Sequence, residues 1–182
     1  MGVFGVATAP RINPEFSGLA SPEIPFRLNE LLRLQKSAQR ITSTLDLDEI
    51  VQRVVDEVCD TLGCVEINLY IHDPDQSELT LVGVRGCTVH GKGHRVKVGS
   101  NNLRQGMSGH VAQTRKMHYA PNVKVDPYYV ECEPSVRSEV AMPLEVDGEL
   151  VGVFTVSHHE LDAFCETELR LLKGQPCLPL AL

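Results

Sequence analysis

The sequence has no tryptophan, few aromatic residues and no long apolar run. Its 182 residues contain no Trp and only 5% aromatic side chains, so Val, Leu and Ile must build most of the core. No apolar stretch approaches the roughly 20 residues that span a bilayer. Residues 1–16 are too polar and too often interrupted by proline for a secretory signal. We therefore expect a cytoplasmic protein with no membrane partner.

The sequence also lacks net positive charge and closely paired cysteines. Its formal charge of −7 repels phosphate backbones, which argues against a nucleic-acid partner. The six cysteines, at positions 59, 64, 87, 132, 165 and 177, contain no C-x-x-C pair. A chain of this length without an export signal favours separate reduced thiols over a disulfide framework. No Cys/His cluster has the spacing typical of a metal site.

Proline placement and apolar periodicity divide the chain into three parts. Residues 1–25 contain four prolines and no apolar period, which predicts a flexible tail or linker. Residues 26–174 carry the periodic segments of one domain and are enough for a core of its own. Residues 175–182 are predicted to be an irregular C-terminal tail, because Gly174 and Pro176 stop the last helix.

Two helices are predicted at the start of the domain. Residues 26–45 carry apolar side chains in a regular seam, at Leu31, Leu34, Ala38, Ile41 and Leu45. This seam either packs on its own domain or forms a homodimer contact over residues 31–45. The second helix is predicted to have Asp46 as its N-cap, a broad apolar stripe from Leu47 to Leu62, and Gly63 at its C-terminal stop.

The rest of the domain alternates strands with short helices. Strands are predicted over 64–73 and 78–86 as antiparallel partners, over MHYAP, and as a hairpin around the Asp-Gly pair at 147–148. Short helices are predicted over 108–115 and over FCETELRLLKG. Hairpins rather than crossovers link the strands, so the predicted fold class is α+β, an antiparallel sheet with helices on its faces.

Three segments in this order resemble the GAF domain family. They are ITSTLDLDEIVQRVVDEVCDTLGC, then GMSGHVAQTRKMHYAPNVKVDPYYV, then VRSEVAMPLEVDGELVGVFTVS followed by AFCETELRLL. The resemblance covers residues 26–174 and implies a six-stranded antiparallel sheet flanked by helices in α/β/α layers. It also implies a small-molecule sensor of bacterial-type signal transduction, including two-component regulation, that dimerises through its terminal helices.

The resemblance implies a ligand pocket walled by residues 101–143. The candidate wall and rim residues are Met107, Ser108, Tyr119, Cys132, Arg137 and Glu139. Arg137 either clamps an anionic ligand or pairs with Glu139 or Glu133. The leading hypothesis is therefore a binding module for an unidentified small molecule, not an enzyme, with no metal. A ligand-free dimerisation unit is a further alternative.

A local resemblance supports an enzymatic alternative. The run ECEPSVRSE, which contains Cys132, is similar to the free methionine sulfoxide reductases of the same family, in which a thiolate attacks the sulfoxide sulfur. Those enzymes carry a second thiol in the G-x-x-G turn, where this chain has Ser108, and a Trp that this chain lacks. Cys87 would have to replace that thiol, and no sequence feature places it near Cys132.

No cofactor is predicted for this chain. Some GAF domains bind haem through one histidine, and His110 or His118 would be the candidates here. His90 and His94 lie four residues apart, but the two glycines around them argue against a helix that would fix a metal-binding spacing. Solvated or hydrogen-bonded histidines are the simpler interpretation.

Overall fold

A computed structural model describes residues 44–99 and 105–173 of the chain. The helices are α1 (Thr44–Leu62), α2 (Gly106–Thr114) and α3 (Glu166–Leu172). The strands are β1 (Glu66–Asp73), β2 (Glu78–Arg85), β3 (Arg95–Lys97), β4 (His118–Ala120), β5 (Ser138–Val146) and β6 (Glu149–His158), and a 3-10 helix lies at Val123–Val125. Both predicted tails, and nearly all of the seam over 31–45, lie outside the described residues.

The strands form one antiparallel sheet in the order β3-β2-β1-β6-β5-β4. β5 and β6 are joined by a tight turn in which Asp147 (φ 54°) and Gly148 (φ 79°) are both left-handed, as the Asp-Gly hairpin requires. The predicted hairpin and the α+β class are thus confirmed. No pattern predicted β3, because a strand of three residues is too short to show a period of two.

Helices cover both faces of the sheet, so the three predicted layers are confirmed. One face packs on α1 and α3, through a core that includes Val51, Val55, Ile67, Leu69, Phe154, Phe164 and Leu172. The other face packs on α2 and on neighbouring loops, through Met107, Val111, Ala112, Val136, Ala141 and Val153. In the described part of the chain, no helix has the length and apolar character needed to cross a bilayer.

The structure corrects two expectations about α1. Asp46 lies inside α1 (Thr44–Leu62), so the predicted N-cap is wrong. Ile50, predicted to belong to the apolar stripe, is 41% exposed, because only positions in line with Val51 and Val55 meet the sheet. The predicted C-terminal stop is confirmed, since Gly63 follows the helix with φ of +63°.

The prediction of separate reduced thiols is wrong for one pair. Cys59, in the last turn of α1, is disulfide-bonded to Cys64 just before β1. The left-handed turn at Gly63 folds the chain back and brings the two Cα atoms within 5.0 Å, a distance that suits a disulfide. A search for C-x-x-C spacing missed the pair, because this closeness depends on the turn. Among the described residues Cys87, Cys132 and Cys165 are free.

Candidate functional site

Polar side chains occupy one end of the sheet face that packs on α2. Along β1 the side chains alternate, so Ile67 and Leu69 enter the core with α1 while Glu66 and Asn68 point to the opposite face. The register then extends the polar row across the sheet, because Ser157 of β6 pairs with Glu66 on one side and with Glu139 of β5 on the other. Strand alternation and register together build a polar floor in an otherwise apolar layer.

A cavity of about 80 Å³ lies over this floor. Its cover comes from the loop before β3, from the start of α2 and from the segment that precedes β5, through His90, His94, Met107, Ser108, Tyr129 and Cys132. The floor consists of Glu66, Asn68, Tyr70, Glu139 and Thr155. This volume holds several water-sized groups, which suits a small ligand better than a macrocyclic cofactor.

Two carboxyl groups share the floor, and the pKa of each is raised. Burial, together with the nearby charge of Glu66, raises the pKa of Glu139 to about 8. Burial also raises the pKa of Glu66, although its hydrogen bond with Asn68 opposes the shift. Ser157 Oγ donates to Glu139 Oε2 over 3.1 Å. The floor therefore retains protons near neutral pH and gains from any positive charge brought to it.

Asn68 presents an unused acceptor at the same place. Its Nδ2 donates to Glu66 Oε1 over 2.7 Å and to Thr155 Oγ1 over 3.3 Å. Its Oδ1 is buried and has no hydrogen-bond partner within the described residues. A buried acceptor without a donor costs free energy, so a group that donates a hydrogen bond to this oxygen would be favoured here.

A thiol-imidazole corner forms one wall of the cavity. Cys132 Sγ lies 3.3 Å from His90 Nδ1, and the Cys87 thiol lies close enough to hydrogen-bond with Cys132. Burial, followed by the charges of Cys87 and Glu66, raises the pKa of the Cys132 thiol to about 12. Without another influence Cys132 is thus a protonated thiol at neutral pH, which is a weak nucleophile.

The structure brings together four of the six predicted site residues. Met107, Ser108, Cys132 and Glu139 all line the cavity. Tyr119 lies elsewhere: its hydroxyl donates to Asp162 Oδ1 over 2.8 Å and its ring packs against Phe164 on the α1 side of the sheet.

Arg137 is the sixth candidate, and it does not reach the cavity. Its side chain is exposed at the start of β5, and its backbone N–H donates to His158 O over 2.8 Å. Within the described residues it makes no ion pair with Glu133 or Glu139, so that alternative is wrong.

The two haem candidates are engaged by other side chains. His118 Nε2 lies 2.7 Å from Asp126 Oδ2, and the His110 ring stacks on Tyr128 with 3.6 Å between ring centroids. Neither histidine is part of the cavity lining. They form a polar-aromatic cluster between α2 and β4, where they tie the cover to the sheet edge.

Sequence reasoning missed the floor residues Glu66, Asn68 and Thr155. The available signal was in β1 itself, where EINLYI places polar residues at every second position of a strand whose other face is fully apolar. Such alternation is ordinary for a solvent-facing strand. Only the cover supplied by α2 turns these polar side chains into buried ones.

Comparison with known families identifies the family of the chain that forms this cavity. The family model for the GAF domain matches residues 44–174, which is well over half of the chain. This chain belongs to the GAF family. The resemblance of its three segments to that family is thereby confirmed, as is the six-stranded sheet that the resemblance implied.

Known GAF proteins share this fold at low sequence identity. The chain is 28% identical over 109 residues to GAF domain-containing protein A of Dictyostelium discoideum, and this match covers 58% of the chain and 61% of that relative. A free methionine-R-sulfoxide reductase of Neisseria meningitidis, solved with its substrate, superposes with a TM-score of 0.64 at 18% identity, over 92% of this chain and 88% of that one.

A GAF domain from a different kind of protein superposes nearly as well. It comes from a phosphoenolpyruvate-protein phosphotransferase of Coxiella burnetii, with a TM-score of 0.60 and 21% identity over 81% of this chain and 87% of that one. The TM-scores show that the fold is shared, and at sequence identities this low the comparison shows nothing more than the fold. The function of this GAF domain must be argued from its own site.

Proposed function

We propose that this chain is a sensory GAF module of bacterial-type signal transduction whose cavity binds a small molecule with a positively charged amine. The observation that carries the proposal is the polar floor, where two neighbouring carboxyls and an unpartnered amide oxygen converge. An ammonium group has three donors and no acceptor. It would satisfy the oxygen of Asn68 and neutralise the repulsion between Glu66 and Glu139.

The surroundings of the floor support a small cation over an anion. Among the described residues, the cavity lining includes two acidic residues and no lysine or arginine, and Arg137, the candidate anion clamp, is exposed outside it. The cavity of about 80 Å³ limits the ligand to a few heavy atoms, the size class of a free amino acid or a small amine.

We also propose that the bound state is passed on through helix-mediated homodimerisation. The cover of the cavity is built from loops and a short helix, so a ligand that orders these segments selects one packing of the domain. The seam over residues 31–45 precedes α1 in the chain and is the candidate dimer contact.

The ligand class is tested by thermal unfolding of the purified full chain with a panel of primary amines, including free amino acids, each measured against its N-acetylated form. A cationic amine that binds should raise Tm by mass action, and its acetylated form should not. Because the pKa of Glu139 is about 8, affinity should rise as pH is raised through that value while the amine stays protonated.

A matched pair of variants locates the binding. Glu139→Gln should weaken amine binding about 10- to 100-fold, the loss expected for a hydrogen bond to a charged group. Glu145→Gln, which neutralises an exposed carboxyl on the same strand, should leave it unchanged. Equal Tm shifts from amines and their acetylated forms, or an unaffected Glu139→Gln, would contradict the proposal.

One observation favours a second candidate, a free methionine sulfoxide reductase. The fold brings Cys87 beside Cys132 at the cavity wall, which supplies the second thiol that the sequence alone could not place. Cys132 would attack the sulfoxide sulfur, take its oxygen as a sulfenic acid and release methionine. Cys87 would then displace water to form a disulfide, which an external dithiol reduces. The raised pKa of Cys132 places this candidate second.

Turnover separates the two candidates. The reduced protein is incubated with free methionine sulfoxide and a dithiol, and methionine is quantified over time. We expect no release above the level of Cys132→Ser. Methionine release that disappears in Cys132→Ser and Cys87→Ser, but persists in the exposed control Cys165→Ser, would make this chain an enzyme.

A further inference from the structure

Three metal-binding side chains from two distant segments meet at the wall of the cavity. The ligand atoms of Cys87, His90 and Cys132 all lie within 4.8 Å of one another, and each side chain is half-buried. Cys87 and His90 belong to the loop that follows β2, whereas Cys132 lies in the segment before β5, 42 residues after His90. Two thiols and an imidazole are the donor set that zinc prefers.

We propose that Cys87, His90 and Cys132 form a binding site for Zn²⁺ or a similarly thiophilic divalent cation. This inference does not depend on the amine ligand or on any reductase activity. Nothing in the GAF resemblance implies such a site, and it rests on the side chains of this chain alone.

The observed spacing is close to that of a tetrahedral zinc centre. With Zn–S of about 2.3 Å and Zn–N of about 2.0–2.1 Å, two ligand atoms are separated by about 3.6 Å for a sulfur-nitrogen edge and about 3.8 Å for a sulfur-sulfur edge. Cys132 Sγ and His90 Nδ1 are 3.3 Å apart. The other two separations do not exceed 4.8 Å, so a contraction of at most about 1 Å brings all three donors around one ion.

The local backbone prepares Cys87 and His90 as a pair. They are separated by two residues, and the backbone N–H of His90 donates to Cys87 Sγ over 3.3 Å, which holds the sulfur beside the residue that carries the imidazole. The preceding Gly86 has φ of +84°, and a Cβ there would lie 1.9 Å from the carbonyl oxygen of Val65. Only glycine lets the chain leave β2 so close to β1. This close approach directs the loop over the cavity, where it forms part of the cover.

A second contact holds the two metal-binding segments against each other. Thr88, which lies between Cys87 and His90, donates from Oγ1 to Glu133 Oε2 over 3.2 Å. Glu133 is the residue after Cys132, and its other oxygen accepts from Ser135 Oγ over 3.1 Å. The two segments are therefore held together before any ion binds. On coordination, both cysteines release their thiol protons to solvent.

The fourth coordination position is left to water or to a ligand in the cavity. His90 and Cys132 both line the cavity, so an ion held by them lies at its wall. Zinc sites with three protein ligands keep such a position open. Metal occupancy would then set which small molecules the cavity accepts.

The test uses the full chain, stripped with a chelator and kept reduced by a phosphine that carries no thiol. Zn²⁺ is titrated against a chromophoric chelator, and Co²⁺ is added separately to read thiolate-to-cobalt charge transfer. We expect binding stoichiometric with the chain and a charge-transfer band. Cys87→Ser, His90→Ala and Cys132→Ser should each weaken Zn²⁺ binding by more than the roughly 10- to 100-fold that loss of an outer-shell partner costs.

Two controls make the assignment specific. Cys165→Ser removes an exposed thiol, and Cys59→Ser removes one of the thiols that reduction of the Cys59–Cys64 disulfide would release; both should bind Zn²⁺ like the wild type. Absence of the cobalt band in the wild type overturns the proposal without relying on any variant. It is equally overturned if reduced protein fails to compete with the chelator, or if either control loses binding as the three ligand variants do.

Discussion

At the residue scale, the most consequential groups are the two carboxyls of the cavity floor, of which Glu66 is buried and Glu139 is half-buried. A lone buried carboxyl is costly, and a second one nearby raises the cost because both cannot ionise freely. Glu139 accordingly has a pKa of about 8. A cationic ligand bound at this floor would offset the unfavourable free energy of holding the two carboxyls together. That offset would contribute to the free energy of binding.

This pair predicts a stability change with pH. Between the usual glutamate pKa and about 8, folded Glu139 keeps a proton that the unfolded chain has lost, so the free energy of unfolding falls as pH rises and levels off above that value. Glu139→Gln removes this slope. The free energy of unfolding of this variant, relative to that of wild type, should rise by roughly 1–2 kcal/mol between about pH 5 and about pH 9. This is less than the full pKa shift of Glu139 would give, because the side chain is partly exposed.

Urea unfolding of wild type and Glu139→Gln at both pH values measures this difference. The control is Glu145→Gln, whose stability relative to wild type should not change with pH by the same mechanism because the side chain is exposed. A Glu139→Gln difference that is the same at both pH values would show that Glu139 titrates normally.

At the element scale, α1 packs closely against β2. Gln52 Nε2 donates to Val84 O over 2.9 Å, and Arg85 donates from Nη1 to Asp56 O over 2.9 Å while pairing with Asp60. Between these polar contacts the helix rests directly on Gly83. The periodicity of α1 predicted that it packs on a sheet, but a glycine within a strand gave no indication of which strand it touches.

Gly83→Ala should therefore be destabilising although alanine suits a strand at least as well as glycine. A Cβ at residue 83 would lie 2.7 Å from Val55 Cγ2 and 2.9 Å from Val51 Cγ1, so α1 must shift away. We expect a loss of about 1–3 kcal/mol, the usual cost of overpacking, measured by chemical unfolding. Gly91→Ala is the matched control, because nothing lies within 4 Å of its added Cβ; a similar loss there would refute the steric explanation.

At the scale of the whole molecule, the dimer proposal requires that ligand binding in the cavity affects the seam over residues 31–45. The described residues form one sheet with helices on both faces, and the cavity cover belongs to the layer opposite α1. If the seam over 31–45 is the dimer contact, as proposed, a signal from that cover has to cross the sheet to α1, whose residues follow the seam in the sequence.

The dimer proposal predicts a change in apparent mass. Leu34→Asp combined with Ile41→Asp places two charges on the apolar seam, and burying them at a helix contact is strongly unfavourable. On a sizing column the double variant should elute as a monomer while the wild type elutes as a dimer. Substituting Arg33 and Arg40 by Gln, off the seam, gives the same change of net charge and should leave the elution unchanged. An unchanged elution of the seam variant would refute the contact.

The sequence by itself determined the features that depend on residues close together in the chain. These are the apolar stripe of α1, the left-handed stop at Gly63, the Asp-Gly hairpin and the α+β class. These follow from periods of 3.6 and 2 and from the backbone freedom of one or two residues. The family resemblance added the six strands and the region of the cavity, and with it Met107, Ser108, Cys132 and Glu139.

Only the tertiary structure decided what meets in the cavity. Asn68 contacts Thr155 across 87 residues of sequence and Cys132 contacts His90 across 42, and such contacts depend on strand order and on which loop covers which face. The same holds for charge: Glu66 and Glu139 are ordinary carboxyls in the sequence, and they become a coupled buried pair because both flank Ser157 in the sheet. Local patterns build the elements, whereas burial and distance assign their chemistry.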